Sequence, residues 1–184
     1  KIMVVTWEDS RQGFADIAMA VSDDGGETFG FDGFITGSAG DGHQLKPDVT
    51  LTKGTSAIGF SVPLPDETEV QVPVDVPVSE IHTVWEGHSS QGSDGDIYYN
   101  ASQLAVEQIG DSASLRFILN LGSGNEKINQ DDARAWHSSP PDQRDPSLVA
   151  VPCGADAEEG DWNLFIAWSD GRNYDGWNYD IYYT

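Results

Sequence analysis

The stretch Ser22-Asp23-Asp24-Gly25-Gly26-Glu27-Thr28-Phe29 predicts a tight turn between two β-strands. Its two consecutive glycines allow the backbone to enter the left-handed conformations that tight turns use. The side chain of Asp24 can accept hydrogen bonds from the amides of the turn. We expect Thr28 and the aromatic ring of Phe29 to pack beneath the hairpin, and the segment from Phe31 to Thr36 to form the strand that follows.

Outward from this turn, the chain repeats a strand that ends in tryptophan. Each copy is followed by a turn and then by an Asp-Ile pair that opens a second apolar run. Short β-branched and aromatic runs bounded by turn residues are typical of β-strands. The copies end in Trp7, Trp85 and Trp168, and the Asp-Ile pairs are Asp16-Ile17, Asp96-Ile97 and Asp180-Ile181.

Two further elements complete a repeating unit of four strands. Lys46-Pro47 and Asp145-Pro146 each open a short strand before a tryptophan strand, a position in which proline is tolerated because no ladder donor is needed. The segment from Leu115 to Leu121 is a candidate fourth strand of the second unit. Each unit then reads as a proline strand, a tryptophan strand, an Asp-Ile strand and a fourth strand.

The segments between these strands have their own predictions. Segment 54–80 is interpreted as an insertion that forms extended strand or loop, because it is punctuated by prolines. Segment 122–143 is polar and predicts a long loop. Residues 101–108 could form two turns of helix, and no other part of the chain shows helical periodicity.

Four antiparallel strands repeated around an axis describe the blade of a β-propeller, so we predict an all-β propeller over residues 1–184. The blade portions are 1–44, 45–143 with the insertion, and 144–184, which amounts to about two and a half blades. Because propellers have about four to eight blades, we expect the remaining blades to come from a longer chain or from other subunits.

The turn and the repeats together resemble the sialidase-like β-propellers, also known as the Asp-box or bacterial neuraminidase repeat superfamily. The Asp-box signature is S-x-D-x-G-x-T-[FW], and the matching residues here are Ser22, Asp24, Gly26, Thr28 and Phe29. In that superfamily the box is a structural turn at the periphery of a blade. The resemblance therefore implies a fold more than a function, and the second unit has Asn100-Ala101-Ser102-Gln103 where a box would lie.

The resemblance also implies where an enzyme of this superfamily would hold its substrate. Sialidases grip the substrate carboxylate with three arginines, because a guanidinium fork binds a carboxylate through two hydrogen bonds. Arg144 is the candidate here, for catalysis or ligand binding, because Arg144-Asp145-Pro146 loosely resembles the first-arginine motif. The motif's aromatic residue and isoleucine are missing. The alternative is that Arg144 is a solvated loop residue beside a strand start.

The Trp-x-Asp-x-Arg motif occurs in two units and predicts a structural turn. Its members are Asp9 with Arg11 and Asp170 with Arg172. This spacing places each carboxylate and guanidinium in one turn, where they can pair. Because a propeller usually has one central site, repetition at equivalent positions favours a structural role over catalysis.

Two other groups of residues could bind ligands. Asp94, Asp96 and Asp175 offer oxygen ligands on turns, which is what Ca²⁺ prefers, although the sequence favours ordinary turn formation over a metal site. Trp136, Trp162 and Trp177 lie in polar segments outside the tryptophan repeat, where an indole could stack on a sugar ring or simply cap a loop.

Composition restricts the partners. The chain has 184 residues, with 31 Asp and Glu against nine Lys and Arg and a net charge of −22. Such a charge repels phosphate backbones and anionic membrane surfaces, which excludes a nucleic-acid partner. No apolar run is long enough to cross a membrane as a helix, so no membrane insertion is expected. An acidic, soluble surface fits an extracellular or cell-surface setting.

Three functions remain open on these grounds. The sequence favours recognition, in which a propeller portion binds a glycan or a protein through its loops. The alternatives are an exo-glycosidase of the sialidase type whose catalytic centre lies largely outside this chain, and a structural subunit of a surface assembly. Fold alone does not choose among them.

Overall fold

The protein is built from β-strands and turns. A computed structural model describes residues 1–36, 42–63, 69–88, 95–109, 114–121, 125–129, 142–153, 162–171 and 180–183. Within these ranges every regular element is a strand, which confirms the all-β prediction. The strands are β1 (Met3–Asp9), β2 (Asp16–Ser22), β3 (Phe31–Phe34), β4 (Gln44–Pro63), β5 (Glu69–His88), β6 (Gly95–Ile109), β7 (Ser114–Leu121), β8 (Glu126–Lys127), β9 (Gln143–Pro152), β10 (Trp162–Asp170) and β11 (Asp180–Tyr183).

The strands form three antiparallel sheets in the order in which they occur along the chain. The first sheet contains β1, β2 and β3, the second contains β4 to β8, and the third contains β9, β10 and β11. Strands that follow one another in sequence pair with one another, as in a meander. The exception is β8, which pairs with β6. The tryptophan strands β1, β5 and β10 each pair with the following Asp-Ile strand.

The helix predicted for residues 101–108 is wrong. These residues lie within β6, which pairs with β5 as far as Ala105 and with β7 from Ser102 to Ile109. Both neighbours need backbone partners, so extending β6 satisfies more donors and acceptors than two isolated turns of helix would. Tertiary pairing therefore overrides the local preference.

The insertion at 54–80 is a β-ribbon. Residues 54–63 continue β4 and residues 69–80 belong to β5, with an unbroken register from Leu51 opposite Ile81 to Pro63 opposite Glu69. Because β6 pairs with β5 only as far as Val78, the ribbon beyond that point has, among the described strands, two strands and two open edges. Open edges are where a sheet tolerates proline, which explains the proline punctuation.

Part of the loop predicted for 122–143 is also a strand. Within that segment the structure describes 125–129 and then 142 onward, and β8 pairs with Tyr98 and Tyr99 of β6. This is the edge of β6 that β7 uses further along. The two short strands thus cover one edge of β6 in succession.

The first core cluster fills the space between the first and second sheets. Trp85 lies at its centre, with the ring of Tyr98 stacked at 5.9 Å and the indole Nε1 donating to Oε1 of Gln44 at 2.7 Å. The N–H of this buried indole is therefore hydrogen-bonded, and its ring is packed against another aromatic ring. The buried members of the cluster are Ile17, Met19, Val21, Ile35, Ile81, Trp85 and Leu104.

The second core cluster lies between the second and third sheets. Its buried members are Val84, Ile97, Leu148, Ile166 and Trp168. Successive side chains of a strand point to opposite faces, so β5 sends Ile81 and Trp85 to the first cluster and Val84 to the second. The second sheet is therefore a middle layer that is buried on both faces.

The expected packing of Thr28 and Phe29 is wrong. Both residues are exposed, Phe29 by 45%, so neither tucks beneath the hairpin. The space against the turn is taken by Met3, whose sulfur would lie 3.0 Å from a Cβ placed on Gly26. A side chain from β1, which neighbours the turn across the sheet, thus covers the hairpin.

We expect Ile17→Ala to lower the free energy of unfolding by about 2–5 kcal/mol, because it removes a fully buried side chain and leaves a cavity. Phe29→Ala is the matched control from the same sheet and should change stability by only about 0.5 kcal/mol. Urea unfolding followed by tryptophan fluorescence measures both. Equal losses for the two variants would contradict the assignment of the first core cluster.

Candidate functional site

The polar side chains gather at two opposite ends of the sheets. At one end, here called the rim, β1, β5 and β10 end, while β2, β4, β6 and β9 begin. At the other end, here called the hairpin end, β1 and β10 begin and the turn after β2 lies. Each end collects a different set of the residues that the sequence singles out.

The turn after β2 is held by its own side chains. Oδ1 of Asp24 accepts from the Ser22 hydroxyl at 2.8 Å and from the Thr28 amide at 2.9 Å, and Oδ2 accepts from the Thr28 hydroxyl at 2.6 Å. The Gly26 amide donates to Ser22 Oγ at 2.8 Å. Gly25 and Gly26 have φ of 85° and 97°, which favours glycine. These hydrogen bonds hold the pKa of Asp24 well below its usual range.

The Asp9–Arg11 pair closes the turn between β1 and β2 at the rim. The Arg11 side-chain Nε donates to both carboxylate oxygens of Asp9, at 2.9 and 2.7 Å, and the Arg11 amide donates to Oδ1 at 2.9 Å. These bonds lower the pKa of Asp9 to about 2. Asp170, at the equivalent place in the third sheet, is buried. Its predicted partner Arg172 lies outside the described residues.

A buried carboxylate organises the rest of the rim. The side chain of Glu86 is 3% exposed, and its Oε1 lies 2.5 Å from Nε2 of His88. Its Oε2 accepts from the Asp145 amide at 3.1 Å and lies 3.3 Å from the Lys46 ammonium, which also contacts Asp145 Oδ1 at 2.6 Å. Glu86 thus joins the middle sheet to the first strand of the third. The hydrogen bond to Asp145 is the largest cause that raises the pKa of Lys46.

Two residues with strained backbone conformations donate hydrogen bonds to carboxylates at the rim. Lys46 and Asp145 have φ of 51° and 53°, and each precedes a proline. A non-glycine residue in this region costs roughly 1–3 kcal/mol. The conformation aims each amide at a carboxylate of the preceding sheet: Lys46 N donates to Glu8 at 2.8 Å and Asp145 N to Glu86.

The pattern behind this arrangement is visible in the sequence but was missed. Glu8 and Glu86 each follow the tryptophan of a tryptophan strand, and Lys46 and Asp145 each precede the proline of the next unit. The Trp-Glu and X-Pro dipeptides thus form a repeated carboxylate clasp between consecutive sheets. The sequence signal is the residue after each strand-ending tryptophan taken together with the residue before the proline of the next unit.

Arg144 belongs to the same rim. Its guanidinium pairs with the carboxylate of Asp142, whose Oδ1 also accepts from the Gly95 amide at 3.1 Å. The Arg144 side chain is 45% exposed. It is therefore a surface arginine already engaged with a carboxylate of its own chain, and this geometry fits a solvated strand-start residue.

Of the three aspartates proposed for Ca²⁺, the structure describes only Asp96. Asp96 Oδ1 contacts the Lys127 ammonium at 2.9 Å and accepts from the Asn129 amide group at 3.0 Å. Asp94 and Asp175 lie outside the described residues. Within the described ranges, no three His, Cys, Asp or Glu side chains come together as a metal site would require.

At the hairpin end, Trp162 lines a surface cavity. Its Nε1 donates to the backbone carbonyl of Lys53 at 2.9 Å, which fixes the half-buried indole at the start of β10. The cavity has a volume of about 440 Å³, within the range of small-molecule sites. It is lined by Lys1, Ile2, Leu51, Thr52, Lys53, Ser79 and Trp162. Trp136 and Trp177, the other two candidates, lie outside the described residues.

A buried polar chain runs inward from this cavity. Thr52, which is 3% exposed, places its hydroxyl 2.9 Å from Nε2 of His82, and Nδ1 of His82 lies 2.7 Å from the Tyr99 hydroxyl. Burial lowers the pKa of His82, so the imidazole is neutral at pH 7. Burial also raises the pKa of Tyr99, so its phenol stays protonated. The Glu80 carboxylate lies 3.7 Å from Nε2 of His82, so a neutral hydrogen-bonded chain at this point stands beside one carboxylate.

Comparison of the chain with family models, curated proteins and solved structures finds no match. In the part of the chain that the structure describes, no helix could cross a membrane.

We expect acid to destabilise the protein partly through Asp9 and Asp24. A carboxyl whose pKa is lowered by folding stabilises the native state above its unfolded pKa of about 3.9. For Asp9 that contribution is lost as the pH falls from about 4 to about 2. Asp9→Asn and Asp24→Asn should therefore be less stable at pH 7 and show a smaller loss between these pH values. Urea midpoints across pH measure this.

Glu27→Gln, which removes an exposed carboxylate from the turn that contains Asp24, is the control for this experiment. It should keep the acid dependence of the native sequence. An unchanged acid dependence in both asparagine variants would contradict the role given to the two turns.

Proposed function

We propose that the chain is a portion of a sialidase-like β-propeller that acts outside the cell as a recognition module and binds a glycan in the Trp162 cavity. The propeller is favoured by the layering of consecutive sheets. Strands β1–β3, β4–β7 and β9–β11 pair in chain order, as we would expect in a blade, and Trp85 and Trp168 both point towards the preceding sheet. The side-chain hydrogen bonds of the Ser22–Thr28 turn agree with the Asp-box resemblance.

The observation that carries glycan binding is the fixed indole of Trp162 in a mainly apolar cavity that also has a few polar groups on its wall. A sugar presents an apolar face of C–H groups and a rim of hydroxyls, so it suits an aromatic ring beside hydrogen-bonding groups. The Trp162 ring is held by its bond to the Lys53 carbonyl. Ser79 and Lys53 supply donors around it. Holding the ring in advance lowers the entropy cost of binding.

The charge of the cavity indicates an acidic sugar. Lys1 and Lys53 line it, and they are two of only four lysines in a chain of net charge −22. An ammonium group attracts a carboxylate or sulfate as a point charge. We therefore expect uronic, sialic or sulfated sugars to bind more tightly than neutral ones.

The exo-glycosidase alternative depends on the rim. Its best support is the clustering of charge and backbone strain at Lys46, Glu86 and Asp145, since strained residues gather at functional sites. Against it, Arg144 is engaged by Asp142, and the strain is accounted for by the clasp between sheets. Recognition explains more of the observed geometry.

We expect Trp162→Ala to weaken glycan binding by about tenfold or more, which corresponds to about 1.4 kcal/mol. Removing the indole takes away the stacking surface. The probe is an array of acidic and neutral oligosaccharides, followed by calorimetry with the best binder. Phe14→Ala is the control because it removes an exposed aromatic ring from the rim. Loss of binding in both variants, or in neither, would contradict the assignment of the cavity.

The same preparations distinguish the alternatives. Hydrolysis of a fluorogenic sialoside that disappears in Arg144→Ala would favour the exo-glycosidase. Saturable binding without turnover favours recognition. Neither activity, together with assembly into large particles, would favour a structural subunit.

A further inference from the structure

The hydroxyl of Thr52 belongs both to the Trp162 cavity and to the buried polar chain behind it. Thr52 is one of the residues that line the cavity, and its Oγ1 lies 2.9 Å from Nε2 of His82. Among the described residues, this is the one hydrogen bond that the hydroxyl makes. A threonine hydroxyl has one hydrogen to donate and two lone pairs that accept. The direction of that hydrogen therefore depends on which nitrogen of His82 carries the proton.

Two neighbours hold the proton of His82 on Nε2. Because burial lowers the pKa of His82, its ring carries a single proton at pH 7. The Tyr99 hydroxyl lies 2.7 Å from Nδ1, and burial keeps this phenol protonated, so it donates to an unprotonated Nδ1. The Glu80 carboxylate lies 3.7 Å from Nε2 and attracts an N–H to that side of the ring. The hydrogen bond at one nitrogen thus sets the state of the other.

A proton on Nε2 turns the Thr52 hydrogen away from His82. The imidazole then donates to Oγ1, and the hydroxyl hydrogen needs a different acceptor. Thr52 is only 3% exposed, so bulk water has little access to it, and a buried donor without an acceptor is costly. Because the cavity is the open space beside Thr52, an acceptor bound there would satisfy this donor.

We propose that the Thr52 hydroxyl donates to an anionic oxygen, of a carboxylate or a sulfate, on the sugar bound in the Trp162 cavity, and that His82 is the positioning residue that aims it. This role depends on the glycan site proposed above. Lys1 and Lys53 line the same cavity, and their ammonium groups also only donate. An anionic oxygen has no hydrogen of its own, so it suits three converging donors better than a sugar hydroxyl does.

The Glu80 carboxylate is compatible with an anionic sugar. Its Oε1 accepts from Nε2 of Gln103 at 3.1 Å, and its Oε2 is the oxygen beside His82. Glu80 is not among the residues that line the cavity, whereas Lys1 and Lys53 are. Its repulsion of a bound anion is therefore opposed by two ammonium groups that stand closer to the bound anion.

The first test needs no sugar. Nitrogen NMR at pH 7 distinguishes a protonated ring nitrogen from an unprotonated one, and sequential assignment separates His82 from the rest of the four histidines. We expect the proton of His82 on Nε2. A proton on Nδ1 would overturn the inference, because Nε2 would then accept from Thr52 and the hydroxyl hydrogen would point inward.

The second test is an NMR titration of the Trp162 indole N–H with glucuronic acid, glucose sulfate and glucose, which carry a carboxylate, a sulfate and neither. Thr52→Val keeps the shape of the side chain and removes the hydroxyl. It should weaken binding of the tighter of the two acidic sugars by about tenfold or more and that of glucose by less. Thr52→Ser restores the hydroxyl and should restore binding. Thr50→Val is the matched control, because Thr50 lies on the same strand opposite His82 and does not line the cavity.

These titrations separate failure of the inference from failure of the glycan site. Binding that Trp162→Ala weakens and Thr52→Val leaves unchanged would overturn the role of Thr52 and leave the glycan site in place. Absence of binding of all three sugars to the native chain would contradict both. Dispersed amide signals show that each variant is folded, and Thr52→Ala replaces Thr52→Val if the latter is not.

Tyr99→Phe tests the positioning role of His82. It removes the hydroxyl that donates to Nδ1, so the form of His82 with the proton on Nδ1 should become more populated and binding of the acidic sugar should weaken. Weaker binding without a change in the protonated nitrogen, or unchanged binding, would overturn this role.

Discussion

Trp85 and Glu86 are neighbours on β5 and point to opposite faces of the middle sheet, and much of the structure depends on this alternation. Trp85 fills the first core cluster, towards the first sheet. Glu86 reaches the other way and accepts from the amide of Asp145, at the start of the third sheet. One dipeptide therefore fixes the position of both neighbouring layers. A shift of the register by one residue would exchange an indole for a buried carboxylate, which neither face could accommodate.

The carboxylate clasp also explains how an acidic chain tolerates buried charge. An isolated carboxylate in a protein interior is costly, but Glu86 is surrounded by an amide, an ammonium and an imidazole. The strained φ of Lys46 and Asp145 is part of this arrangement, because it turns their amides towards Glu8 and Glu86. The hydrogen bonds that stabilise the buried carboxylate thus also offset the backbone strain of the residues that donate them. The rim is best understood as the joint between layers.

Sequence patterns were sufficient for the strands and insufficient for the contacts between sheets. The tryptophan and Asp-Ile repeats predicted β1, β2, β5, β6, β10 and β11, because alternation and turn residues are local signals. The helix prediction for residues 101–108 failed because this segment pairs with β7, and that pairing depends on residues outside the segment. The exposure of Phe29 depends on Met3, a residue from another strand. At the candidate site, Trp162 was identified from its polar surroundings, whereas the chain from Thr52 through His82 to Tyr99 joins three strands and has no local signature.

The strong negative charge of the chain does not prevent it from binding an acidic sugar. At physiological ionic strength the Debye length is about 8 Å, so carboxylates further away are largely screened. Lys53 and Lys1, by contrast, line the cavity and would contact a bound carboxylate directly. The distant charges then slow the approach of an anionic ligand, and the two nearby ammonium groups determine how long it stays. Added salt should therefore relieve the repulsion and weaken the contact at once, so its net effect on affinity is smaller than the charge of −22 alone suggests.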